Sequence, residues 1–144
     1  PCARGWCCMS DRQQAISLLK MAGKDLTALQ SMQNSLQFSD EIFGFHCQQA
    51  AEKALKAYLA SCDQPLQRTH DLETLLEFAA ALEPGFAALQ SAAELLNPYS
   101  TAFRYPGFGD SLFPSTTELA TALENADRMC QFVLARIPGE CHPP

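Results

Sequence analysis

A chain of 144 residues suits one domain, since a chain near this length buries roughly 70% of its unfolded surface around a single core. Its 47% hydrophobic and 18% charged residues are ordinary globular proportions. A net charge of −6 excludes a global positive field. An extended footprint on duplex DNA is therefore not expected, although a local patch for RNA is compatible with this balance. No stretch approaches the ~20 apolar residues that span a bilayer, so no membrane association is expected.

Seven cysteines raise the question of disulfides or metal. Cys47, Cys62 and Cys130 fall inside helical patterns, where a thiol behaves as a small apolar residue. Cys2, Cys7 and Cys8 crowd the N-terminus and Cys141 lies near the C-terminus. The count is odd and no paired C-x-x-C framework exists, so neither a zinc site nor a cofactor is expected. The reading is one of free thiols in reducing cytosol. Met9-Ser10-Asp11 resembles a natural start. Residues 1–8 are accordingly read as a disordered or added remnant, 9–137 as the domain and 138–144 as a flexible tail.

In chain order, Ser10-x-x-Gln13 reads as a capping box opening a first helix. Ala15, Leu18, Leu19, Ala22, Leu26 and Leu29 recur at three- and four-residue steps along it, and the pattern fades between Met32 and Phe38. Ser39 caps a second helix, with Asp40 and Glu41 where the dipole favours negative charge. That helix runs to about Ser61 and stops at Asp63-Gln64-Pro65. A third helix starts at Thr69 or Asp71 and carries Leu72, Leu75, Leu76, Ala79 and Leu82, before Pro84-Gly85 breaks it. A fourth covers Phe86 to Leu96. Tyr99 to Asp110 is the longest irregular segment, rich in aromatics for a loop. Ser115-x-x-Glu118 opens a last helix that reaches about Arg136. No run alternates with the two-residue period of a strand. The fold class is therefore all-α, an antiparallel up-and-down bundle of about five helices.

The second helix carries the most information. Phe43, Cys47, Ala50, Ala51, Ala54, Leu55 and Tyr58 share one broad arc, whose alanines allow a neighbouring helix to approach closely. Gln49, Glu52, Lys53 and Lys56 line one side together. From spacing alone this is a solvated face with Glu52 and Lys56 as an i, i+4 pair. His46 reads as a packed or hydrogen-bonded histidine, and His70 as a residue serving the entry of the third helix.

Phe45-His46-Cys47-Gln48-Gln49-Ala50-Ala51-Glu52-Lys53-Ala54-Leu55-Lys56-Ala57 resembles the signature of the HEPN domain family. Thr69-His70-Asp71-Leu72 resembles that family's turn into its next helix, and Arg104-Tyr105-Pro106 its loop before the last helix. The resemblance implies an antiparallel bundle that commonly homodimerises. It also implies contact with a nucleotide or RNA, and frequent pairing with a minimal nucleotidyltransferase. Many members are ribonuclease toxins of toxin–antitoxin pairs that use R-x4–6-H, in which His moves a proton and Arg holds phosphate. Here no His follows Arg104 within that reach. Arg136 and His142 match R-x5-H, but in the expected tail.

The resemblance thus points to a non-catalytic module, with no catalytic residues and with ligand contacts at Gln49, Glu52, Lys53, Lys56, Arg104 and Tyr105. Lys53, Lys56 and Arg104 would form a phosphate-attracting cluster, and Tyr105 or Phe108 could stack a base. The alternatives are an atypical ribonuclease toxin and a purely structural dimerisation domain.

Overall fold

The computed structural model describes residues 9–33, 35, 37–102 and 116–144. Six α-helices occur among these residues, and no strand: α1 (Met9–Met32), α2 (Asp40–Ser61), α3 (Leu72–Leu82), α4 (Gln90–Leu96), α5 (Tyr99–Ala102) and α6 (Thr116–Leu134). The chain is an all-α helical bundle, as the absence of two-residue periodicity requires.

α2 is the axis of the bundle. Ala50, Ala51, Ala54, Leu55 and Ala57 have no exposed surface, and α1, α3, α5 and α6 all pack against this helix. Its small side chains let those neighbours close in on several sides. Ser39 is its N-cap, accepting from the Ile42 backbone N–H. At the other end Asp63 adopts a positive φ of 56°. The Gln64 N–H then reaches the Leu59 carbonyl and the Asp63 N–H the Ala60 carbonyl. This Schellman turn ends the helix before Pro65 is reached.

α1 is already helical at Met9, so Ser10 lies inside it and is not its cap. The proposed box at Ser115 lies outside the described residues. The expected fourth helix is two pieces, a 3-10 stretch Pro84–Leu89 followed by α4. Proline and glycine start that stretch, and burial of Phe86 and Leu89 holds it. Tyr99, expected in irregular chain, begins the single turn α5. Residues 138–144, expected as a flexible tail, contain a further 3-10 turn (Gly139–Cys141) in which Cys141 is fully buried. The Glu140 carbonyl accepts from Arg12 Nε at 2.8 Å, which ties this turn to α1.

Candidate functional site

Between Phe43 and Ser61 the only residues of α2 not buried are Phe45, His46, Gln49, Lys53 and Lys56. They form one narrow strip left open between α1 and the chain that leads into α3. Two buried carboxylates lie at its edges, Asp25 from α1 and Glu52 from α2 itself.

Asp25 holds two partners. Its Oδ1 lies 2.9 Å from His46 Nδ1, and its Oδ2 accepts from Lys53 Nζ at 2.5 Å. Glu52 holds four. Oε1 accepts from Lys56 Nζ at 2.8 Å and lies 3.0 Å from His70 Nδ1. Oε2 accepts from Gln48 Nε2 at 3.0 Å and Gln49 Nε2 at 3.1 Å. Burial alone would raise the Glu52 pKa, but hydrogen bonds from Lys56, Gln48 and His70 outweigh it and hold the carboxyl below its ordinary value. Glu52 is thus a fixed carboxylate.

The solvated face expected from spacing is therefore corrected. Glu52 is 4% exposed and Gln48 fully buried, because the connection 62–71 folds back along α2 and covers them. Gln48 fixes that return: its Nε2 also donates to the His70 carbonyl at 3.0 Å, and its Oε1 accepts from Gln49. The expected Glu52–Lys56 pair is present. Lys53, however, is committed to Asp25, a partner 28 residues away that no local spacing could reveal. The phosphate-attracting lysine cluster is thus two lysines already neutralised by carboxylates.

His70 also departs from expectation. The entry of α3 is served by Asp71, which accepts from the Glu73 N–H and from Thr74 Oγ1, and by Thr69 Oγ1, which accepts the Asp71 N–H. His70 instead reaches back to Glu52. Asn97 completes the clamp. It accepts the Leu72 N–H at 2.9 Å and donates to Asp71 Oδ1 at 2.6 Å. Bonds from Thr74 and Asn97 hold the Asp71 carboxyl below its ordinary range.

Two residues further on, the Tyr99 ring lies on Gly44, where an added Cβ would sit 2.3 Å from Cδ1. Only glycine permits this approach, and it seats the start of the segment leading to Arg104 on α2. Burial is the first cause that raises the Tyr99 phenol above its ordinary value. Gln49, Glu52, Lys53 and Lys56 are thus brought together. Arg104 and Tyr105 lie outside the described residues. Sequence reasoning passed over Asp25, Gln48 and Asn97, whose partners lie 21 to 28 residues away or in the returning connection.

The numerical R-x5-H match is spoken for elsewhere. Arg136 Nε donates to Glu83 Oε1 at 2.7 Å, with its guanidinium over the Phe132 ring. His142 Nε2 lies 3.1 Å and 3.0 Å from the carbonyls of Leu134 and Ile137, so this nitrogen is a donor capping the end of α6. Among the described residues no group of His, Cys, Asp or Glu could hold a metal ion, and no helix is long and apolar enough to cross a membrane.

A family model, the HEPN domain, matches residues 15–137. That span takes in the whole of the α2 strip, both carboxylates and the clamp at Asn97. No curated protein and no solved structure matches the chain.

Proposed function

The chain belongs to the HEPN domain family, a family of nucleotide-binding or ribonuclease-related modules, and from that premise we propose that it is a non-catalytic binding module. It homodimerises and takes a nucleotide, or a minimal nucleotidyltransferase partner, on the open strip of α2. Gln49, Lys53, Lys56, Arg104 and Tyr105 form the contact surface, and Glu52 holds that surface in place from beneath. The observation carrying this reading is the strip itself. Between Phe43 and Ser61, where the rest of α2 is buried, five adjacent side chains keep part of their surface exposed, and buried carboxylates fix several of their polar groups. Preorganised polar groups lining an accessible strip favour ligand binding, because less side-chain freedom is lost when the ligand arrives.

Calorimetric titration with ATP, GTP and AMP, alone and with a copurified nucleotidyltransferase, tests it. Binding is expected in the wild type, weakened roughly tenfold by Lys53→Ala and by Arg104→Ala, the scale of one charge-assisted hydrogen bond. No binding in either format overturns it. The rival ribonuclease reading draws on His46, whose Nδ1 lies against buried Asp25 and so leaves Nε2 for proton exchange. RNA cleavage by the purified protein, lost in His46→Ala, would favour that rival.

A further inference from the structure

The strip contains the same arrangement twice. Asp25 joins Lys53 and His46, and Glu52 joins Lys56 and His70. In each unit the lysine neutralises the carboxylate, so the formal charge of the six groups is set by the two imidazoles. Neither carboxylate has its histidine as sole partner. Glu52 keeps donors from Gln48, Gln49 and Lys56, and Asp25 keeps Lys53. The carboxylates therefore orient the imidazoles rather than the reverse.

His70 is the clearest case. Its carbonyl is fixed by buried Gln48, and both its neighbours, Thr69 and Asp71, are engaged in capping α3. Yet its side chain remains 57% exposed. With Nδ1 held on Glu52, Nε2 is the nitrogen available to a ligand. His46, 29% exposed, marks the α1 edge of the strip in the same way, and Phe45 meets its ring edge-on. His46 shares Asp25 with Lys53, and His70 shares Glu52 with Lys56. The Asp71 carboxylate is turned into α3 by Thr74 and Asn97.

We propose that His46 and His70 are the phosphate-contacting groups of this strip, and that they bind the polyphosphate chain of a nucleotide in their protonated form. This rests on the reading that the strip takes a nucleotide, and it replaces the lysines with the imidazoles as the source of net positive charge. Imidazole is the side chain whose charge changes within the physiological pH range. Protonation converts a neutral set of groups into one carrying two positive charges. Each protonated Nε2 donates a charge-assisted hydrogen bond to a phosphate oxygen.

ATP and inorganic pyrophosphate are the probes, titrated at about pH 5.5 and pH 8, on either side of imidazole titration. For the wild type, binding is expected to be tighter at the lower pH by roughly tenfold or more, as one or two charge-assisted bonds would give. In His46→Gln/His70→Gln that difference should vanish. The probe's own titration is common to both proteins, so it cancels in the comparison. A second readout needs no variant: the Cε1–H resonances of both rings in the wild type should move saturably as ATP is added. ATP binding of equal strength at both pH values, a pH dependence that survives in the double variant, or ring resonances that stay put while ATP binds would overturn this inference and leave nucleotide binding standing. No binding of either probe at either pH, by the chain alone or with the copurified nucleotidyltransferase, would overturn both.

Discussion

At the end of the bundle where α6 finishes, one ion pair lies on aromatic packing. Arg136 meets Glu83 with both side chains 28% exposed, beside a cluster in which Phe132 meets Phe86 edge-on and Tyr58 lies tilted against Phe86. Along the α2 strip the order is reversed. Two carboxylates sit beneath the surface, and six side chains close over them. A half-open pair with solvent within reach contributes little, whereas a buried carboxylate stripped from its donors leaves several polar groups unpaired. The first region is held by apolar area and carries charge as a trim. The second is held by charge, and is correspondingly suited to fixing polar groups for a ligand.

Chemical denaturation can break that contrast. Phe86→Ala removes a fully buried ring and is expected to cost about 4 kcal/mol, in the range for such truncations. The reverse removal, Glu52→Ala, should cost about 3 kcal/mol, because it leaves the nearly buried Lys56 without its carboxylate and takes one acceptor from buried Gln48. Arg136→Ala should cost only about 1 kcal/mol. Equal losses for Glu52→Ala and Arg136→Ala would erase the distinction between the two regions.

Gly44 sharpens the same comparison, because it seats the N–P–Y segment on a buried face of α2, away from the strip. Gly44→Ala forces the Tyr99 ring away and should cost about 2 kcal/mol, the scale of an overpacked contact. In a Tyr99→Ala background the same change should be neutral or stabilising, since alanine is the better helix former. Additive losses would show that the Gly44–Tyr99 contact is not what the glycine serves.

Acid separates the regions next. The Glu52 pKa is lowered in the folded protein, so its contribution is full above its unfolded value and disappears as pH falls through the lowered folded value. Asp71 behaves in the same sense. The unfolding free energy of the wild type should therefore fall more steeply between about pH 5 and pH 3 than that of Glu52→Gln. Parallel curves would contradict the assignment. The smallest effect concerns thiols. Burial pushes Cys47 and Cys130 up to about 12, so at about pH 8 a thiol reagent should modify partly exposed Cys62 well before either.

Much of this was legible in the sequence for reasons the residues make plain. Helix positions follow periodicity and caps that act within four residues, as at Ser39 and Asp71. The Glu52–Lys56 pair is likewise local. What spacing could not supply was depth. Glu52, Lys53 and Lys56 look like a solvated stripe until the connection 62–71 returns along α2 and until Asp25 arrives from another helix. The sequence places His70 among helix-entry residues, because its neighbours are such, yet its imidazole lies on Glu52. The tail looked loose from its prolines and glycine, although Cys141 buries completely in the core.

We propose that the partly exposed strip of α2 is where this HEPN-family chain meets a nucleotide. Backbone amide spectra recorded during an ATP titration test it most directly. Saturable shifts are expected at Phe45, His46, Gln49, Lys53, Lys56 and His70, with the Arg136 end unmoved. Shifts centred on Glu83, Phe132 and Arg136, or none at all, would contradict it.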